Sequence, residues 1–249
     1  LLSVNGNDEM NRFVKEKLEH FNVKYNIFED ESRPTTLKQR YRVKDKTMLK
    51  VSHLRQHQIS KELQKKMYNK FSKLIDKLDL VIFSDFNYGV LTEDFIKQIT
   101  NDCIEKNIRI VADSQSSSQI GDISRYSNAF LLTPTEREVR GALNNQYDSL
   151  VMVADKLSKK TNTPNIVITL GQEGLLIFEK SFEKNTHIVD RIPALNKRPI
   201  DLAGAGDCLF VSSAMVLAQK KPIWQSVYVG SIASACQVGS IGNTPLTMD

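Results

Sequence analysis

The sequence is poor in the residues that build special-purpose folds: of 249 residues only 3 are cysteine, 7 proline, 11 glycine and 1 tryptophan. Cys103, Cys208 and Cys236 lie too far apart for a C-x-x-C metal or redox pair, and their odd number argues against a disulfide framework. A reducing, cytoplasmic setting is therefore expected. Sparse Gly and Pro exclude collagenous and low-complexity chains. No apolar run approaches the roughly eighteen residues of a membrane span. The opening Leu1-Leu2-Ser3-Val4 has neither the charged start nor the long apolar stretch of a signal peptide. Charge of one sign is not in large excess either, with 34 Lys and Arg against 29 Asp and Glu, a net +5. That excess suits small anionic molecules as well as nucleic acid, or a merely solvated surface; the basic residues are dispersed and no nucleic-acid motif accompanies them, so neither nucleic acid nor a membrane is expected as partner. There is no initiator Met, and Leu1 to Gly6 reads as a core strand already under way, so an upstream segment is expected.

What is present is ordinary globular composition, 41% hydrophobic and 25% charged. A chain this long can withdraw roughly 70–75% of its unfolded surface from water and needs no disulfide or metal to hold a core. Apolar spacing predicts a helix over Asp8 to His20, a strand over Val23 to Phe28, and a long helix from Ser60 through Leu78. Between Ser32 and Val51 the period changes to short β-prone pieces, Thr35 to Val43 and Met48 to Val51, joined by Lys44-Asp45-Lys46. They predict a hairpin with polar, basic faces (Arg33, Lys38, Arg40, Arg42), a lid spanning about residues 30–52 outside the main sheet.

Uniformly apolar strands then alternate with helical segments. Leu80 to Phe83 stops at Ser84-Asp85, Ile108 to Ala112 at Asp113, Ala129 to Leu132 at Thr133-Pro134, and Ile166 to Leu170 at Gly171. Thr92 is placed to cap the helix that follows the first of these. Such alternation is the pattern of a parallel sheet covered on both faces, where ligands bind beyond the carboxyl ends of the strands. Strand-like Gly174 to Phe178 and Ile188 to Ile192 precede two apolar helical stretches, Gly204 to Gln219 and Ile223 to Val238. With no repeat and no linker, one α/β domain over residues 1–249 with a small lid is the economical expectation.

The strongest chemical signal is Asp201-Leu202-Ala203-Gly204-Ala205-Gly206-Asp207, directly ahead of an apolar helix. Glycines at a helix mouth leave backbone N–H groups open to an anion, and the helix dipole adds its positive end. Asp207 beside such an anion hole is placed to take a proton from a hydroxyl attacking a phosphate. A plain glycine turn, with Asp207 only offsetting the helix N-terminus, fits the same heptapeptide. No G-x-x-x-x-G-K-[ST] occurs, and Leu209 replaces the third glycine of the dinucleotide fingerprint, which excludes a P-loop enzyme and a nicotinamide oxidoreductase. His53 and His57, spaced i, i+4, lack a third ligand and are expected to be a polar surface pair.

Asp201 to Asp207 resembles the D-T-x-G-A-G-D signature of the ribokinase-like (PfkB) carbohydrate kinases. The similarity extends along the chain. Ser84-Asp85-Phe86-Asn87-Tyr88-Gly89-Val90-Leu91 resembles the S-D-Y-x-K-G-x-L stretch of the heptose-phosphate kinase branch, Leu132-Thr133-Pro134-Thr135-Glu136-Arg137-Glu138 its L-T-P-N-x-x-E, Val167 to Gly174 its V-T-L-G-x-x-G, and Thr35 to Tyr41 its lid strand.

The resemblance implies a three-layer α/β/α sandwich with a mainly parallel sheet and a β lid. It implies an ATP- and Mg²⁺-dependent kinase acting on a sugar or sugar phosphate, in nucleotide-sugar or surface-polysaccharide precursor synthesis. It makes Asp207 the catalytic base and the backbone of Ala203, Gly204, Ala205 and Gly206 the anion hole. Glu138 would organise Mg²⁺, and Asp201 would help hold a monovalent cation. Thr169, Gly171 and Gly174, with Thr135 and Asn243, would lie on the nucleotide side. Asp85 would contact the substrate, and Arg33, Lys38 and Arg40 would reach a substrate phosphate from the lid.

Three departures stand out: Leu202 for the family's Thr, Thr135 for its Asn, and Tyr88 for the branch's Lys. The family's N-terminal strand and G-G-x-x-x-N segment, expected before Leu1, are not in this sequence. A homodimer through the lid is also expected, because an open edge leaves backbone groups unpaired. The rival readings are a nucleotide-binding module without catalysis and the kinase half of a bifunctional kinase/nucleotidyltransferase.

Overall fold

The computed structural model describes residues 1–43, 46–116 and 121–246. The chain divides into two compact units, Leu1–Lys77 with Asn87–Asn101, and Leu78–Phe86 with the residues from Asp102 onward.

In the first unit, strand β1 (Leu2–Asn5) leads into helix α1 (Glu9–His20) and then β2 (Asn26–Glu29), which pairs in parallel with β1. Asp8 caps α1 by accepting from the Asn11 N–H at 2.9 Å, an arrangement that satisfies one of the otherwise orphaned donors of a helix start. The lid is an antiparallel pair, β3 (Leu37–Val43) and β4 (Lys46–His53), as expected, although Lys44-Asp45 of its turn lie outside the described residues. Its faces are less polar than the sequence predicts, because Tyr41, Val43, Met48 and Leu49 are all exposed.

Helix α2 (Lys61–Ser72) is capped by Ser60 and buries Leu63, Met67 and Phe71 along one stripe; it ends earlier than expected, and a short 3₁₀ turn at Ile75–Lys77 takes up the rest. His53 and His57 share no helix face. His53 lies at the end of β4 against Gln39, and His57 lies in the following loop against Ser32.

Arg33 corrects an expectation. It lies ahead of β3 and is only 7% exposed. Its guanidinium donates to Asp30 Oδ2 at 2.8 Å, the Tyr88 carbonyl at 2.8 Å and the His57 carbonyl at 2.7 Å. A buried guanidinium persists only where such partners replace its water. Arg33 therefore ties three chain segments together through three of its five N–H donors. Gly89 completes this junction, since at φ +82° a Cβ would run into the His57 carbonyl.

The second unit is built on a six-stranded sheet in the order β10-β9-β8-β7-β6-β5. The strands are β5 (Leu80–Asp85), β6 (Arg109–Ser114), β7 (Leu131–Leu132), β8 (Asn165–Thr169), β9 (Leu175–Ser181) and β10 (Thr186–Ile192). Pairing is parallel from β5 to β8 and antiparallel for β9 and β10. Helix α3 (Glu93–Glu105) connects β5 to β6, with Thr92 Oγ1 accepting from the Phe95 N–H as the sequence predicts. Helices α4 (Glu136–Leu143) and α5 (Leu150–Thr161) connect β7 to β8, and α6 (Ala205–Ala218) and α7 (Ile223–Gln237) close the chain.

Alternation along the strands sorts the core into two faces. Val111, Leu131, Val167, Leu175 and Ile177 share a buried cluster with Leu209, Phe210, Ala214 and Leu217 of α6 and with Ile223 and Val227 of α7. The intervening residues, such as Ile166, Ile168, Leu176 and Phe178, are equally buried on the other face, where α4 and α5 pack against β8 and α5 against β9. Each such Leu, Ile or Phe contributes roughly 1.5–3 kcal/mol when fully withdrawn from water. α6 and α7 approach each other at Gly230, where a Cβ would collide with the Leu209 carbonyl and Ser213 Oγ. That close approach fixes the axis of α6, and with it the residues at its N-terminus.

Candidate active site

The parallel strands deliver their carboxyl ends to one place. Asp85 ends β5, and Asp113 and Ser114 end β6. Thr133 follows β7, and Thr169 ends β8. Thr133 Oγ1 donates to Asp113 Oδ1 at 3.2 Å, joining β6 to β7, and Thr135 forms a parallel bridge with Thr169, so these two residues expected on the nucleotide side are neighbours.

Glu138 sits in the first turn of α4 and forms a capping box with Thr135. Glu138 Oε2 accepts from the Thr135 N–H and hydroxyl, both at 2.8 Å, while Thr135 Oγ1 caps the Glu138 N–H. Glu138 Oε1 accepts from the Ser116 N–H at 2.7 Å, so one carboxylate fastens the loop after β6 to the start of α4. Thr135 thus serves first as a helix cap.

The loop 201–206 is folded by its own residues. Asp201 Oδ1 accepts from the Ala203 N–H at 3.1 Å and Oδ2 from the Gly242 N–H at 3.0 Å, which brackets the loop against the segment after α7. Gly204 is the N-cap of α6 at φ 81°, and no side chain caps that helix. A Cβ on Gly204 would strike the Asn243 carboxamide, which places Asn243 against this loop. The result is a helix mouth of small residues with its dipole and N–H groups toward any anion there. Asp207 stands in its first turn.

Gly171 and Gly174 shape the β8–β9 turn for different reasons. At φ 93° Gly174 packs so closely on the end of β10 that a Cβ would meet the Ile192 carbonyl, whereas Gly171, at φ 61°, has open space beside it. A cavity of about 530 Å³ in the same unit is walled by Leu195, Ile232, Ala235 and Cys236, with Lys197 and Arg198 at its polar side.

The electrostatics centre on Asp113. Burial, with Glu138 and then Asp207 adding like charge, pushes its carboxyl up to about 7 from an ordinary 3.8. The sequence places Asp113 at a strand end where ligands of such sheets bind, and no motif gives it a chemical role. Asp85 is 5% exposed; its Oδ2 accepts from the Tyr126 hydroxyl at 2.6 Å and pairs with Arg125 at 3.7 Å. Burial and the Asp85 anion drive the Tyr126 hydroxyl well above its ordinary range. Asp85, expected to touch substrate, is held by its neighbours. Tyr126 lies 41 residues away in sequence, at the end of a 3₁₀ turn, with no motif to mark it. On the lid, Lys38 lies 5.2 Å over the Tyr88 ring and Arg40 is exposed on β3.

The pfkB family of carbohydrate kinases matches residues 1–248. The chain belongs to the pfkB family. It is 26% identical over its full length to the bifunctional protein HldE of a Nitratiruptor species, covering 51% of that protein. It is 30% identical over 89% of its length to that of Wolinella succinogenes, covering 45%. The chain thus spans about half the length of the curated relatives it matches. Among solved structures it superposes on phosphofructokinase-2 from Escherichia coli in complex with potassium, with a TM-score of 0.76 at 14% identity, covering 97% of this chain and 76% of that one. For ribokinase from Giardia lamblia the values are 0.75, 18%, 97% and 77%. These neighbours show the ribokinase-like α/β fold.

Phosphoryl chemistry in this pfkB-family chain would draw on oxygen ligands for a divalent cation, and Glu138 and Asp113 are of the hard kind that Mg²⁺ accepts. No three His, Cys, Asp or Glu side chains among the described residues form a metal cage.

Proposed function

We propose that the chain is an ATP- and Mg²⁺-dependent kinase that phosphorylates a hydroxyl of a sugar or sugar phosphate, of the heptose-phosphate kinase type, in nucleotide-sugar or surface-polysaccharide precursor synthesis. One observation carries this reading: Asp207 stands in the first turn of α6, directly behind the uncapped Gly204 to Gly206 mouth, in a chain matched by the pfkB family along its length. Asp207 would take the proton of the acceptor hydroxyl, and the backbone N–H groups of the mouth would stabilise charge on the transferred phosphoryl group. Mg²⁺, organised through Glu138, would supply charge neutralisation at the phosphates. Thr169, Gly171 and Gly174 would face the nucleotide, with the cavity beside Ile232 and Ala235 as the place for its base.

A monovalent cation at Asp201 is supported by the resemblance and by the potassium complex of phosphofructokinase-2. The part of Lys38 and Arg40 in holding a substrate phosphate rests on the resemblance. The exposed Tyr41, Val43, Met48 and Leu49 support pairing of two lids in a homodimer, and three free cysteines support a reducing, cytoplasmic setting. The names and lengths of the curated relatives favour one further reading, that this is the kinase half of a bifunctional protein.

The acceptor is identified by ADP release with Mg²⁺-ATP across a panel of sugars and sugar phosphates. Turnover with one sugar phosphate is the expected result; no turnover with any member would overturn the reading. The nucleotide side has its own test in Cys236, which is exposed and forms part of the cavity wall. Maleimide labelling of Cys236, located by peptide mass spectrometry, should slow about tenfold or more when ATP saturates the site. Buried Cys103, whose thiol burial pushes up to about 12, should stay unlabelled with or without ATP. Equal labelling of Cys236 in both conditions would remove the base from this cavity.

A further inference from the structure

Gln115 follows β6 by one residue, and no motif of the sequence singles it out. Its backbone N–H donates to the Asp85 carbonyl at 2.8 Å, which carries the β5–β6 pairing one step past the strand. Its side chain spans a much longer separation in sequence. The carboxamide Nε2 donates to Asp207 Oδ1 at 2.5 Å, joining residues 92 apart. The same side chain is also hydrogen-bonded to the Asp113 carboxyl. A primary amide has two N–H donors and no charge, so one group can serve two acceptors without forming an ion pair with either. The next residue, Ser116, donates its N–H to Glu138. Two consecutive residues thus bear on Asp207, Asp113 and Glu138.

We propose that Gln115 is a positioning residue for phosphoryl transfer, its carboxamide holding the Asp207 carboxylate in its working orientation beside Asp113. The proposal rests on reading Asp207 as the base. A short aspartate side chain at a helix start has several rotamers open to it, and a base is useful only in the one that meets the acceptor hydroxyl. Asp113 from β6 and Asp207 bear on each other as like charges. Gln115 is a neutral donor to Asp207, and its backbone contact to Asp85 survives any side-chain change.

The test compares Gln115→Ala and the near-isosteric Gln115→Glu with the unaltered chain, using three readouts. These are kcat and KM for ATP with the acceptor found above, the acid limb of the kcat–pH profile, and the Asp207 carboxyl titration by ¹³C NMR, assigned with Asp207→Asn. Both variants should lower kcat by about 10–100-fold, the size expected for losing a hydrogen bond to a charged group, with KM for ATP within about twofold. Both should also raise the midpoint of the acid limb and that of the Asp207 carboxyl together, because the lost donor had favoured the anion. A purely structural Gln115 would lower the melting temperature and leave both midpoints in place, and that result overturns the proposal, as does an unchanged kcat. If the unaltered chain transfers no phosphoryl group while the Asp207 midpoint still moves in Gln115→Ala, the kinase reading itself falls, and the positioning role falls with it.

Discussion

Asp207→Asn should lower kcat by about 10³-fold while leaving nucleotide affinity within about twofold, measured by coupled ADP release and by calorimetric titration of ATP. Asparagine keeps the size and most of the hydrogen-bonding shape of aspartate but cannot accept a proton. The anion-binding elements lie elsewhere, in the backbone of Gly204 to Gly206 and the dipole of α6, and the substitution leaves these in place. The Asn carboxamide can still accept from Gln115 Nε2, so the local packing has no reason to change. Binding without turnover would mark Asp207 as the base. Loss of ATP affinity in parallel with kcat would instead assign it to anchoring the phosphates, and near-normal turnover would remove it from the chemistry.

Much of this site was legible because the relevant signals are local. A glycine run ahead of an apolar helix, with an acid in the first turn, specifies an anion-binding mouth within seven residues. Apolar runs that stop at Asp85, Asp113 and Thr133 mark strand ends, and parallel connectivity then gathers those ends on one side of the sheet. The signals that failed are non-local. Gln115 is an unremarked polar residue until the fold brings α6 across to it, and Tyr126 becomes the partner of Asp85 only when β5 and the segment after β6 meet.

Arg33 failed in the opposite sense. Its neighbours Lys38, Arg40 and Arg42 make it look like one more charge on a solvated strand, yet two of its three partners are carbonyls 24 and 55 residues away. Periodicity registers which side chains repel water, and it is blind to a charge whose partners arrive from distant loops. The long helix expected through Leu78 was a boundary error of a commoner kind: apolar spacing continues through Ile75, but the chain has already tightened into a 3₁₀ turn.

Asp113→Asn should stabilise the protein at pH 8 and leave it unchanged at pH 4, measured as thermal melting without divalent cation or nucleotide. The sign follows from the direction of the shift. The Asp113 carboxyl is pushed up to about 7 in the folded protein, by burial first and by Glu138 and Asp207 second, against an ordinary 3.8. Below about pH 4 both states carry the proton and the group is neutral in its effect. Between about 4 and 7 the unfolded chain releases the proton while the folded one keeps it, so stability falls as pH rises, and above 7 the whole penalty is present. At about 1.36 kcal/mol per pH unit the ceiling is on the order of 4 kcal/mol, and a rise of about 5 °C or more in melting temperature at pH 8 is the expected result. A variant melting at or below the unaltered chain at pH 8 would show that Asp113 carries no such penalty. A buried acid that costs stability near neutral pH, with two more acids against it, is a poor structural element, whereas a site that must face a divalent cation and phosphates has a use for it. Adding Mg²⁺-ATP should therefore stabilise the unaltered chain more than Asp113→Asn and narrow the gap between them.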